Sequence, residues 1–148
     1  MSDEPAPVAV LPCICARVRR TARRVSQIYD RHLEPYGLTI TQFGIMAQVR
    51  SEPGLSIGGL AERMVMDPTS LTRALKPLER RGLVRLDPDP QDRRTRRLSL
   101  TAGGLADLKA ARPGWSAAQA EVRAHLGEAA SADLVARLDE TLMALSPR

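Results

Sequence analysis

The sequence predicts a mainly α-helical chain carrying one small β-hairpin. Three observations predict it. Apolar residues recur in steps of three and four along most of the chain, the spacing of one helix face. Two short segments, Leu83 to Asp87 and Arg96 to Leu100, flank a polar loop rich in Pro and Arg, and the second alternates apolar and polar residues as a half-buried strand does. Only 3% of the 148 residues are aromatic, so the core must be mostly Leu, Ala, Val, Ile and Met, which suits packed helices. A chain of this length is enough for one compact domain.

Residues 1–12 read as a flexible N-terminal arm. From Cys13 to about Glu34 a stripe of Ile14, Val18, Ala22, Val25, Ile28, Tyr29 and Leu33 predicts an amphipathic helix, ended by Pro35 and Gly37. Thr39 or Thr41 caps a second helix, which runs to about Arg50 and stops at Glu52-Pro53-Gly54. Ser56 caps a short third helix with Ile57, Leu60, Ala61 and Met64 on one face. Val65-Met66 is a turn. Asp67 caps a fourth helix with Pro68 at its first position, and Gly82 closes it after about Arg81. The hairpin follows. Thr101 opens a fifth helix that kinks or divides near Pro113 and ends at Gly127, and Ser131 is expected to cap a sixth.

The formal net charge of +5 favours a polyanionic partner without choosing between nucleic acid and an anionic membrane. The excess is local: six arginines lie between Cys13 and Tyr36, and another cluster fills the hairpin loop. Scarce aromatics argue against single-strand recognition, which uses stacking platforms. No apolar run approaches the roughly 18–20 residues of a membrane span, and the acidic, proline-rich start lacks the basic region of a signal peptide, so a cytoplasmic protein is expected. There is no phosphate loop, no GxSxG elbow and no paired Cys-His signature. The chain reads as a non-enzyme that needs no cofactor.

The informative stretch runs from Leu55 to Leu100. A short helix, a tight turn, a capped second helix and a hairpin with a cationic tip make a winged helix-turn-helix. A helix fits the major groove of B-DNA, where its early exposed side chains reach base edges. On the helix after Asp67, Leu71, Leu75 and Leu78 form the inward stripe. Thr69, Ser70, Thr72, Arg73 and Lys76 are left to face the groove. Pro77 falls beyond those DNA-facing turns and implies a local kink. Arg93, Arg94, Arg96 and Arg97 sit on the hairpin, slender enough to enter a narrow minor groove. Asp92 is placed to hold Arg93 or Arg94 by a carboxylate fork.

These segments, LSIGGLAERMVMDPTSLTRALKPLERRGLVRL followed by DPDPQDRRTRRLSLTAGG, resemble the MarR family of bacterial regulators. The resemblance runs from Cys13 to about Leu145. It implies a homodimer, with residues 13–36 and 101–148 as dimerisation helices around a winged helix-turn-helix at 37–100. It further implies a sequence-specific regulator of double-stranded DNA, a repressor on a pseudo-palindromic operator, released by a small-molecule effector. Thr69, Ser70, Thr72, Arg73 and Lys76 would face the groove, and Arg94, oriented by Asp92, would be the wing contact.

Other residues leave alternatives open. The first arginine cluster is a solvated face or a support near DNA. Trp115, Tyr29 and Tyr36 are packing residues or walls of the effector pocket. Cys13 and Cys15, too close in sequence to staple a fold, are inert thiols, a redox pair or metal ligands; relatives that sense organic peroxides carry a reactive Cys near this point. His32 and His125 have no partner at ligand spacing, so no metal site is expected. A redox-sensing regulator on the same scaffold and a winged-helix module that binds protein are the competing functions.

Overall fold

The computed structural model describes residues 13–147, so the expected arm at 1–12 lies outside the described residues. Local capping chemistry sets most element boundaries. Helix α1, Ile14–Leu33, starts at Cys13, whose Sγ accepts the Ala16 N–H at 3.4 Å. A 3-10 turn, Glu34–Tyr36, carries it into Gly37. Of the two threonines that could cap α2, Ile40–Ser51, Thr39 does so. It exchanges bonds with Gln42 in a capping box, which satisfies two otherwise orphaned donors. Ser56 caps α3, Ile57–Met64, by accepting from Gly59 at 3.0 Å. Asp67 caps α4, Pro68–Arg80. Strands β1, Val84–Pro88, and β2, Arg96–Leu100, pair antiparallel with Val84 opposite Leu100 and Pro88 opposite Arg96.

The core lies where α2, α3, α4, the hairpin and the first half of α5, Ala102–Leu126, converge. Leu33, Ile45, Met46, Leu60, Leu71, Leu75, Leu78 and Leu98 are almost wholly buried in it. Each such side chain contributes about 1.5–3 kcal/mol relative to exposure. The expected stripe Leu71, Leu75, Leu78 faces inward, so the opposite face of α4 is turned to solvent.

Helix α5 does not divide at Pro113; it runs unbroken for 25 residues. Pro113 is exposed, and the close approach to α1 is made by its neighbour Gly114. A β-carbon there would lie 2.6 Å from both the His32 carbonyl and the Tyr36 ring. The expected cap of the last helix is corrected. Helix α6, Glu128–Leu145, begins three residues before Ser131, with Gly127 ending α5 and starting α6. No linker remains to hold a polar cap, and the Ser131 hydroxyl instead donates back to the Gly127 carbonyl at 2.7 Å.

The two terminal helices remain half-covered. Of the α1 stripe only Tyr29 and Leu33 are buried, while Ile14 is 78% exposed. Val135, Leu138, Leu142 and Leu145 stand exposed along α6, which packs on α5.

Candidate nucleic-acid interface

The turn between α3 and α4 is made by Val65 in a left-handed conformation, φ 51°, with the Met66 N–H donating to the Ala61 carbonyl at 2.9 Å. The chain then reverses into Asp67. Its Oδ1 accepts the Ser70 N–H at 2.8 Å and its Oδ2 accepts the Ser70 hydroxyl at 2.5 Å. Those bonds, the hydroxyl's first, hold the Asp67 carboxyl below its ordinary pKa.

Thr69, Thr72, Arg73 and Lys76 are exposed on one face of α4. Spacings of three and four place them side by side. With Pro68 they line a shallow depression of about 350 Å³. Neither Arg73 nor Lys76 has an ion pair among the described residues. Ser70 stands apart from this row. It is half-buried and bonded to Asp67, so it serves the helix cap rather than standing free on the groove-facing surface.

The wing extends beyond the helix. Arg93, Arg94 and Arg96 are exposed, with no carboxylate in ion-pair range among the described residues. Here the expected fork between Asp92 and an arginine is corrected. Asp92 accepts the Arg94 backbone N–H at 3.1 Å and the Thr95 hydroxyl at 3.4 Å, so it shapes the turn and leaves both guanidinium groups unpaired. The fork on the wing is between Asp89 and Arg97, which sequence proximity did not suggest: Oδ2 of Asp89 accepts from Arg97 Nε at 3.0 Å and Nη2 at 2.7 Å. The Gln91 N–H and then Arg97 lower the Asp89 pKa.

The three aromatic candidates do not meet in one pocket. The Tyr29 hydroxyl donates to Gln119, and burial raises its pKa. Tyr36 packs against Gly114. Trp115 stacks on Phe43, ring centroids 6.2 Å apart and planes at 9°. That pair walls a cavity of about 660 Å³ between α2 and α5, into which Arg50, Lys109 and Arg112 also face. Sequence reading missed these three cations and Phe43, because they come from two helices more than fifty positions apart and carry no shared local pattern.

The first arginine cluster borders another cavity, of about 690 Å³. Arg17, Arg20 and Arg24 of α1 face Val122 and Leu126 of α5 and Leu134 of α6. Cys13 and Cys15 are exposed, with free thiols. His32 lies 2.6 Å from Glu121, which also takes Arg31 at 2.5 Å, an electrostatic tie between α1 and α5. Among the described residues no group of three ligating side chains fits a metal ion.

A model of the MarR family matches residues 38–95. The chain is 34% identical over 95 residues to the transcriptional regulator HosA of Escherichia coli, an alignment covering 61% of this chain and 70% of that protein. It is 29% identical over 92 residues, 62% of this chain, to the HTH-type transcriptional regulator SarZ of Staphylococcus haemolyticus, and spans 63% of that relative's length. Its fold is similar to that of the M. tuberculosis transcriptional regulator MosR in complex with DNA, at TM-score 0.77 and 39% identity over 91% of this chain and 99% of that one.

Proposed function

The chain belongs to the MarR family, and from that premise we propose that it is a cytoplasmic transcriptional repressor, binding double-stranded DNA as a homodimer. One observation carries the reading: α4 presents Thr69, Thr72, Arg73 and Lys76 in an exposed row, flanked by the unpaired wing arginines Arg93, Arg94 and Arg96. The row offers base-edge and phosphate contacts in the major groove, and the wing offers cations to the minor groove.

Dimerisation through residues 13–36 and 101–148 is supported by the exposed apolar stripes on α1 and α6. Charge supports it too. Helix α1 carries six arginines against Asp30, while α6 carries four carboxylates against Arg137. A twofold pairing lets each copy offer its α6 to the other's α1. Two recognition helices then meet successive major-groove faces, with 37–100 as the DNA-binding part.

The cavity walled by Trp115 and Phe43 suits a small effector, and its three cations favour an anionic one. Release from DNA requires that the effector bind one spacing of the recognition helices better than the other. The test of the whole reading is selection of bound fragments from the native genome. An enriched pseudo-palindrome with half-site centres about 10 base pairs apart, or a multiple of that, is expected. A pool with no enriched sequence would contradict it.

The exposure of both thiols favours a second reading, in which oxidation at Cys13 or Cys15 adjusts DNA affinity. Cys13 caps α1, so its chemical state bears on the start of a dimerisation helix. Peroxide-treated protein that keeps full DNA affinity while its thiols are shown by mass spectrometry to be oxidised would remove this reading.

A further inference from the structure

Asp89 is the one buried carboxylate among the described residues, at 8% exposure, and it sits at the base of the wing tip. Its backbone N–H donates to the Thr95 carbonyl at 2.8 Å, and its Oδ1 accepts the Gln91 N–H at 3.0 Å. The same residue therefore binds the loop on its way out and on its way back. Its Oδ2 takes two nitrogens of Arg97. The third nitrogen of that guanidinium donates to the Gly54 carbonyl at 3.0 Å, in the corner between α2 and α3. The backbone repeats the connection: the Gly54 N–H donates to the Leu98 carbonyl at 3.0 Å, and the Leu98 N–H to the Leu55 carbonyl at 2.8 Å.

All three nitrogens of Arg97 are thus committed to the protein frame. Arg93 and Arg94 lie on the tip side of this clamp with their charges unpaired. A loop with no apolar anchor at its tip has many poses, and a cation contributes to groove binding only when it is held in reach. We infer that Asp89 is the positioning residue of the wing, fixing it to the α2–α3 corner through Arg97, and that Arg97 is a structural strut rather than a DNA contact. The inference rests on the DNA-binding reading above.

Two accounts of Asp89 predict opposite signs. If the carboxylate only subtracts charge near DNA, Asp89→Asn removes a repulsion, frees Arg97 for phosphate and tightens binding. If it positions the wing, Asp89→Asn loosens binding, by about tenfold, comparable to losing one wing contact. The variant is nearly isosteric and keeps the acceptor for Gln91.

The experiment titrates four proteins against a duplex selected from a random pool by the wild type: the wild type, Asp89→Asn, Arg93→Ala with Arg94→Ala, and the triple variant. The expected result is an effect of Asp89→Asn of about tenfold in the wild-type background and little effect where Arg93 and Arg94 are gone, since the tip cations held by the clamp are then absent. Equal or tighter binding by Asp89→Asn overturns the inference. So does an equal loss in both backgrounds, which would mark a general effect on folding. A wild type that selects no duplex would sink the regulator reading itself.

Discussion

Gly104 of α5 lies flush against the Leu83 carbonyl: a β-carbon at Gly104 would stand 2.0 Å from that oxygen. One turn away, the Thr101 hydroxyl donates to the Gly82 carbonyl at 2.5 Å. The long helix that carries the C-terminal arm is therefore docked directly on the residues that end α4.

This contact predicts opposite effects at adjacent glycines. Gly104→Ala forces backbone apart and is expected to lower stability by about 1–3 kcal/mol. A β-carbon at Gly103 meets nothing closer than 3.6 Å. Gly103→Ala should therefore stabilise by a few tenths to about 1 kcal/mol through helix propensity. Urea unfolding of the two variants checks this; equal destabilisation would show that the contact is not decisive.

Arg94 has its backbone held by Asp92 and its side chain free, which fits a wing contact. Arg94→Ala is expected to weaken operator binding by about 1–3 kcal/mol. Unchanged affinity in a gel-shift titration would remove Arg94 from the interface.

Glu121 joins α1 to α5 through His32 and Arg31, whose bonds hold its carboxyl below the ordinary glutamate value of 4.5. A depressed folded value means that the bound carboxylate stabilises the fold above 4.5 and that this contribution is lost as pH falls through the lowered value. Glu121→Gln should have a lower urea midpoint than the wild type at neutral pH, with the gap closing in acid. A gap that persists in acid would assign the effect to packing instead.

The charge contrast between α1 and α6 predicts that Arg20→Glu with Arg23→Glu weakens self-association, most at low ionic strength, where exposed charges are least screened. Sedimentation equilibrium at two salt concentrations measures it. Identical dimer affinities for wild type and variant at low salt would place the interface elsewhere.

The features legible in the sequence were those decided within a few residues. Thr39, Ser56 and Asp67 cap helices because each bonds a backbone N–H three positions on, and the Leu71, Leu75, Leu78 stripe follows from helical spacing alone. Ser131 misled because a serine near a helix start resembles a cap, whereas Gly127 places the boundary with no side chain. At the wing, the nearest carboxylate in sequence was Asp92, but the pleat and register of the hairpin bring Asp89 to Arg97 instead. The stacking of Phe43 on Trp115 depends on how α2 meets α5, which no local pattern encodes.

The central claim is that the α4 face and the wing engage the DNA backbone and grooves. The most direct test is the affinity of the purified protein for its selected duplex across a range of salt concentrations. With Arg73, Lys76, Arg93, Arg94 and Arg96 contributed by each of two copies, ten cations in all, log K against log salt should fall steeply, with a slope approaching about −9 when each meets a phosphate. A flat line would contradict the account.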